Sequence, residues 1–270
     1  MSDPVRVLRD VLDDLRDEGE QLDRLVAPLE PEQWSRATPA PRWTVAHQIA
    51  HLAWTDDIAV RAATGPEDFA AHVAEAASAP GTFVDEGAEA GVAAHAPGEL
   101  LARWRDGRAR VLDVLRDTAP GTRIPWYGPP MSPASLATAR LMETWAHGQD
   151  VADALGAVRE PTGRLRHVAR IGVRARDYAF AARGMAPPPE PFRVELVAPD
   201  GHTVWAFGPE DADQRVSGAA LDFCLLVTRR AHRADLGLRA TGPDADRWLG
   251  IAQAFAGPAG AGRPPKGAAR

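Results

Sequence analysis

Two stretches decide how this chain reads, WTVAHQIAHL (43–52) and ETWAHGQD (143–150). His47 and His51 stand four residues apart in the first, and Glu143 and His147 four apart in the second. On a helix that spacing puts both side chains on one face, one turn from each other. Two such helices facing each other bring imidazoles and a carboxylate onto one cation and leave coordination positions open. That is the ligand supply of a catalytic zinc site and not of a closed structural one. A lone histidine has several uses besides ligation, in a core or on a surface. The metal expectation therefore rests on the combination of two helical pairs.

The flanking residues predict both helices. Ser132-Pro133 supplies a hydroxyl cap and a proline for the first turn. From there to Gly156, Leu136, Arg140, Glu143, His147, Asp150 and Ala154 form one stripe, and Leu141, Trp145, Gly148, Ala152 and Leu155 form a packing stripe. Thr44 caps a helix running to about Thr64, with Val45, Ile49, Leu52 and Ala59 on one stripe. His47, His51, Trp54, Ile58 and Arg61 occupy the neighbouring one.

Composition bounds the rest. A chain of 270 residues holds one large or two modest domains. Its 45% hydrophobic and 25% charged residues are ordinary for a globular protein. A net charge of −6 without a Lys/Arg block gives no sign of a nucleic-acid partner. No apolar run reaches transmembrane length, and MSDPVRVLRD at the start has no apolar signal region, so a cytoplasmic, membrane-free protein is expected. The single cysteine, Cys224, rules out an intramolecular disulfide and reads as a small core residue within LDFCLLV (221–227). No heptads or exposed apolar stripe mark a partner surface, so the expectation is a monomer or homodimer acting on a small molecule.

Periodicity predicts further helices over 3–28 and 98–118, giving a four-helix bundle with its site between helices. The Ala-, Gly- and acid-rich segment 65–97 reads as a substrate-facing connection with room for a short helix. The loop PWYGPPMSP (125–133) carries Trp126 and Tyr127, which either line a pocket or plug the end of the bundle. A fifth helix is expected over 162–183. RGMAPPPEP (183–191) then reads as a linker, dividing a bundle of residues 1–183 from a small α+β domain of residues 184–256. In that domain FRVELVAP, Asp200-Gly201 and HTVWAFG predict a β-hairpin. Residues 217–232 read as helix, 236–242 as a short strand and 244–256 as a last helix. The tail 257–270 has little to pack and is expected to be partly disordered.

The pattern W-T/S-V-x-x-x-x-x-H-L at Trp43–Leu52, followed about ninety residues later by E-x-x-x-H-x-x-D at Glu143–Asp150, resembles the DinB-like metal-binding helical bundles. More narrowly, the chain resembles the mycothiol-dependent maleylpyruvate isomerase group, whose members join such a bundle to a domain resembling sterol carrier protein 2. The resemblance implies an α+β protein with zinc, or another divalent metal, on His51, Glu143 and His147. It leaves His47 as an extra imidazole beside the site, a substrate contact or proton carrier. It also implies an arginine late in the second domain that binds substrate carboxylate, for which Arg229 and Arg230 are the nearest candidates. Two solvated helix-end arginines are the equal alternative.

The implied chemistry is thiol addition. Metal coordination lowers a thiol's pKa, and the mycothiol thiolate adds to a conjugated double bond, which rotates and re-forms by elimination. The expected activity is thus a metal-dependent isomerase or thiol S-transferase acting on a small electrophile. Water in place of the thiol would make a hydrolase or hydratase, with His47 or Asp150 as base. Fe(II) on the same set would make an oxygenase, though no oxidant cofactor motif is present. The non-enzymatic alternative is a metal-stabilised ligand-binding protein.

Overall fold

The computed structural model describes residues 3–78, 81–255, 257, 260 and 262–267. The chain forms two compact units, Met1–Arg159 and Glu160–Arg270. The division falls ahead of the helical segment expected over 162–183, and the Pro-rich stretch 183–191 lies inside the second unit. No helix among the described residues is long and apolar enough to cross a membrane.

The first unit is helical. Its elements are α1 (Pro4–Val26), α2 (Val45–Thr64), α3 (Pro66–Ser78), α4 (Phe83–Ala94), α5 (Pro97–Asp117) and α6 (Pro133–Leu155). The caps follow the sequence. Asp3 accepts from the Val5 N–H ahead of Pro4, and Ser132 accepts from the Ser135 N–H ahead of Pro133. Gly156 ends α6 in the left-handed region with φ 66°. Helices α1, α2, α5 and α6 pack on one another. Their core is built on Leu22, Ile49, Leu52, Leu100 and Trp104, of which Leu22, Ile49 and Leu52 are wholly inaccessible. Burying each such aliphatic side chain contributes about 1.5–3 kcal/mol.

The segment 65–97 forms two helices, α3 and α4, both packed against α2. Its small residues, which read as connection, are what lets α4 come close. A Cβ added at Gly91 would lie 3.0 Å from the Ala50 Cβ, and one at Gly87 would lie 2.8 Å from the Trp54 indole. The helix therefore lies over the face of α2 that carries the histidine stripe.

In the second unit the expected single helix over 162–183 is two, α7 (Leu165–Arg174) and α8 (Arg176–Ala181), broken at Ala175. Leu165, Val168, Ala169 and Gly172 form the buried stripe of α7. It packs on α9 (Ala220–Val227), where a Cβ at Gly172 would meet Val227 at 2.7 Å. That close packing is why α7 belongs to the second unit. A four-stranded sheet follows in the order β2-β1-β3-β4, made of β1 (Phe192–Val197), β2 (Val204–Phe207), β3 (Gln214–Ala219) and β4 (Arg239–Thr241). The β1–β2 hairpin turns where Asp200 accepts from the His202 and Thr203 N–H groups. Strand β3 occupies ground expected to be the start of a helix at 217. It pairs parallel with β1, yet QRVSGA buries only Val216 and so shows no alternation to read. Helix α10 (Pro243–Ile251) places Trp248 edge-on against Phe192 and Phe223.

Cys224 is buried, with its thiol pushed up by desolvation and its Sγ donating to the Leu165 carbonyl at 3.4 Å, as a core residue should. Of the tail expected to be partly disordered, residues 258, 259, 261 and 268–270 lie outside the described residues. Among the others, Arg263 donates to the Arg230 carbonyl at 2.6 Å, and the Lys266 N–H donates to Asp235 at 3.0 Å.

The contact of α4 with α2 gives a test. Gly87→Leu should destabilise the protein by about 1–3 kcal/mol through overpacking against Trp54. Amide hydrogen exchange across 83–94 should then rise while α5 keeps its protection. Unchanged exchange in α4 would contradict the close packing.

Candidate metal centre

The two ligand-bearing helices pack side by side. Their contact brings His51 of α2 together with Glu143 and His147 of α6, one ligand atom from each lying within 4.8 Å of the others. The Glu143 Oε2 is 3.1 Å from His147 Nε2 and 3.7 Å from His51 Nε2. The two imidazole rings sit 4.5 Å apart, centroid to centroid. Both histidines are buried and the carboxylate is half-buried.

The hydrogen bonds around His147 determine which of its nitrogens faces the cluster. Thr38 donates its hydroxyl proton to the Trp43 carbonyl, and accepts from the Gln48 amide nitrogen at 2.9 Å. That leaves the Gln48 Oε1 to accept from His147 Nδ1–H at 2.5 Å. A neutral His147 thus carries its lone pair on Nε2, aimed at the carboxylate. This relay is the arrangement that orients a metal-ligating histidine. Burial raises the Glu143 pKa, but hydrogen bonds and charge from His147 and His51 outweigh it and hold the carboxyl well below its ordinary value. Without a metal an imidazolium N–H bonds the carboxylate across this 3.1 Å, and a metal ion held by the same three groups would take the place of that proton. The donor set therefore fits a divalent metal, and two imidazoles with one carboxylate suit zinc. His51 Nδ1 is buried with no hydrogen-bond partner among the described residues, so packing and the Nε2 contact with Glu143 hold this ring. Its neighbours are Trp43 at 5.2 Å and Trp54 at 6.1 Å.

His47 is not drawn into the cluster. Its Nδ1 accepts from the Thr44 N–H at 3.2 Å and lies 2.8 Å from the Thr44 hydroxyl. Its Nε2 lies 2.8 Å from Glu89 of α4. With both nitrogens engaged, it closes the first turn of α2. Asp85, one turn before Glu89, accepts from the Trp43 indole N–H at 2.9 Å and pairs with Arg42. These bonds hold Trp43 stacked on His147, with centroids 5.8 Å apart and ring planes 20° from parallel. Asp150 is buried one turn beyond His147, outside the three-residue cluster. In the second unit, Arg229 donates to the Gly260 carbonyl at 3.2 Å and Arg230 to the Thr228 carbonyl at 2.7 Å.

A buried ion pair also joins the two helices. Arg140 Nε donates to Asp56 Oδ1 at 2.9 Å, and the two side chains are only 3% and 7% exposed. Burial raises the Asp56 pKa and the Arg140 guanidinium opposes it. Arg140 lies one turn before Glu143 on its stripe, so the pair fixes the axial register that sets His51 against Glu143. The sequence placed Arg140 on that stripe but gave no sign of Asp56, whose own stripe carries no other charge. Gln48 was equally silent, as a polar residue between two histidines. Breaking the pair by Asp56→Ala should cost about 3–5 kcal/mol, because the arginine is left buried and uncompensated. Asp56→Ala combined with Arg140→Met should recover most of that in urea unfolding, and a double variant as unstable as the single one would contradict the account.

A family model described as the mycothiol maleylpyruvate isomerase N-terminal domain matches residues 15–152. A second, described as wyosine base formation, matches residues 188–239. Two uncharacterized proteins of Mycobacterium tuberculosis, from strains CDC 1551 and H37Rv, are each 55% identical over 250 residues, covering 93% of this chain and 96% of theirs. A crystal structure of the mycothiol-dependent maleylpyruvate isomerase superposes with a TM-score of 0.58 at 18% identity, over 88% of this chain and 95% of that one. A histidine-to-alanine mutant of that enzyme superposes with the same TM-score at 19% identity and the same coverage. At such identities the superpositions establish likeness of fold. The family model, by contrast, spans more than half of the sequence, from within α1 to within α6, and on that match the chain belongs to the mycothiol maleylpyruvate isomerase family of DinB-like proteins.

Proposed function

We propose that this chain is a zinc-dependent enzyme that activates mycothiol, or a thiol like it, for addition to a small electrophile, as an isomerase or S-transferase. The observation that carries the proposal is the convergence of His51, Glu143 and His147 within 4.8 Å, in a family represented by a mycothiol-dependent isomerase. We extend the reading to the second unit, whose four-stranded sheet and helices we assign to the sterol carrier protein 2-like class.

Zinc held there supplies a Lewis acid, with an open position at which a thiol loses its proton near neutral pH. The residues of the chain do the rest. Three protein ligands leave that position vacant for the thiol. Gln48 keeps the Nε2 lone pair of His147 directed at the centre. Trp43 covers one side of the ligand rings and Trp54 packs on His51, so apolar surface borders the open position and limits competing water. His47 has a positioning role, tying the start of α2 to Glu89 and so holding α4 over Trp43. The hydrolytic alternative would need a general base close to the centre. Among the described residues the sole carboxylate in the cluster is Glu143, and both His47 nitrogens are engaged, which favours the thiol.

His51→Ala and His147→Ala should each lose stoichiometric zinc in elemental analysis while keeping their helical circular dichroism, because three ligands leave no redundancy. Full occupancy in either variant would overturn the triad. Gln48→Leu should keep the metal but bind it about 10–100-fold more weakly in competition with a chromogenic chelator. An unchanged affinity would remove the relay from the account.

A further inference from the structure

A cavity of about 240 Å³ opens between α1 and α5, and none of the three residues of the metal cluster lines it. Leu15, Trp104, Val111 and Leu112 give it apolar walls. The buried Asp56 and Thr144 lie at its inner end, and its mouth carries the exposed Arg16, Glu20, Arg105 and Ala109. Close-packed helices leave few gaps larger than a water molecule. The gap follows from the sequence of α1. Gly19 falls between Leu15 and Leu22 on the buried stripe, where a large apolar side chain would fill the space. Glycine inside a helix is also less stable than alanine, so helix formation does not explain its place here.

Arg108 borders the room that Gly19 leaves. A Cβ at Gly19 would lie 2.7 Å from Arg108 Nη1, and the guanidinium sits 4.9 Å from the Trp104 ring centroid. The ionic groups around the cavity answer one another. Arg105 and Arg108 share Asp23, and Glu20 is a further negative charge acting on Arg108. Arg16 donates to Asp13 and Asp17, and Asp56 is paired with Arg140. A charged occupant would bring an uncompensated charge against apolar walls, so the lining selects a neutral one. One polar group is left over at the inner end. Arg140, bonded to Asp56, keeps a buried Nη2 with no hydrogen-bond partner among the described residues. A guanidinium donates and never accepts, so what this end lacks is an oxygen acceptor.

We propose that the cavity between α1 and α5 is a second binding site, and that its ligand is a small neutral molecule with an apolar body and one carbonyl oxygen. The volume sets the size of that body. An apolar cavity of about 150 Å³ holds benzene, so this one has room for a single ring and a short substituent. The ring lies against Leu15, Val111 and Leu112, and the carbonyl oxygen points inward to the Asp56–Arg140 pair. Ala109 stands at the entrance with no side chain large enough to close it. The site needs neither zinc nor a thiol, so it stands apart from the metal reading.

The probe is acetophenone, one ring with one carbonyl oxygen, titrated into the full-length protein with its leucine and valine methyl groups labelled for NMR. Benzoate, of the same size but charged, is the control. Acetophenone should shift the Leu15, Val111 and Leu112 methyl signals saturably, and benzoate should bind at least tenfold more weakly by the same signals. Ala109→Trp, which fills the mouth from an exposed position, should abolish the acetophenone shifts and leave the unfolding midpoint unchanged. The Asp56→Ala, Arg140→Met double variant removes the inward donor and should weaken acetophenone about tenfold. Shifts that do not saturate in the wild type, or that persist in a folded Ala109→Trp protein, would overturn the site. Benzoate binding as tightly as acetophenone would overturn the neutral ligand class, and an undiminished affinity in the double variant would overturn the inward carbonyl.

Discussion

One ionised carboxylate and two imidazoles are held against each other between two helices, and most of the first unit serves that contact. The Glu143 Oε2 lies 3.1 and 3.7 Å from the two imidazole nitrogens, close enough for all three groups to share one proton or, on the proposed reading, one metal ion, and the scaffold keeps them from turning away. Hydrogen bonds and charge from the same two imidazoles overcome burial and hold the Glu143 carboxyl well below its ordinary pKa.

The scaffold acts at three levels. Thr38, Gln48 and His147 form a chain of donors and acceptors that leaves one orientation for the imidazole. Asp56 and Arg140 tie α2 to α6 by a buried ion pair one turn from Glu143, which holds the register in which His51 meets Glu143. Helix α4 adds the third level. It approaches through Gly87 and Gly91, and its Asp85 and Glu89 hold Trp43 and His47. Small residues and acids one turn apart thus give this helix both its close packing and its hold on the site.

The triad was legible because ligand chemistry at a spacing of four survives in one dimension, and because Ser132, Pro133 and Thr44 mark where the helices begin. Residues defined by a partner far along the chain were not. Asp56 meets Arg140 across 84 positions, and His72 meets Tyr127 across 55. Glycine and alanine misled in one place: in 83–94 they read as a loose connection, yet they allow a helix to pack closely. Strand β3 went unread because a six-residue strand burying only Val216 has no period to detect. Family resemblance supplied the choice of His51 over His47, and the hydrogen bonds of His47 to Thr44 and Glu89 give the physical ground for that choice.

The central claim is that this cluster binds zinc through two imidazoles and one carboxylate, with a place left for sulfur. X-ray absorption at the zinc edge, on the full-length protein with and without mycothiol, tests it most directly. The account predicts nitrogen and oxygen neighbours at about 2.0–2.2 Å, with multiple scattering from two imidazoles, and a sulfur at about 2.3 Å that appears when mycothiol is added. A first shell with one imidazole or none, or one that gains no sulfur from the thiol, would contradict it.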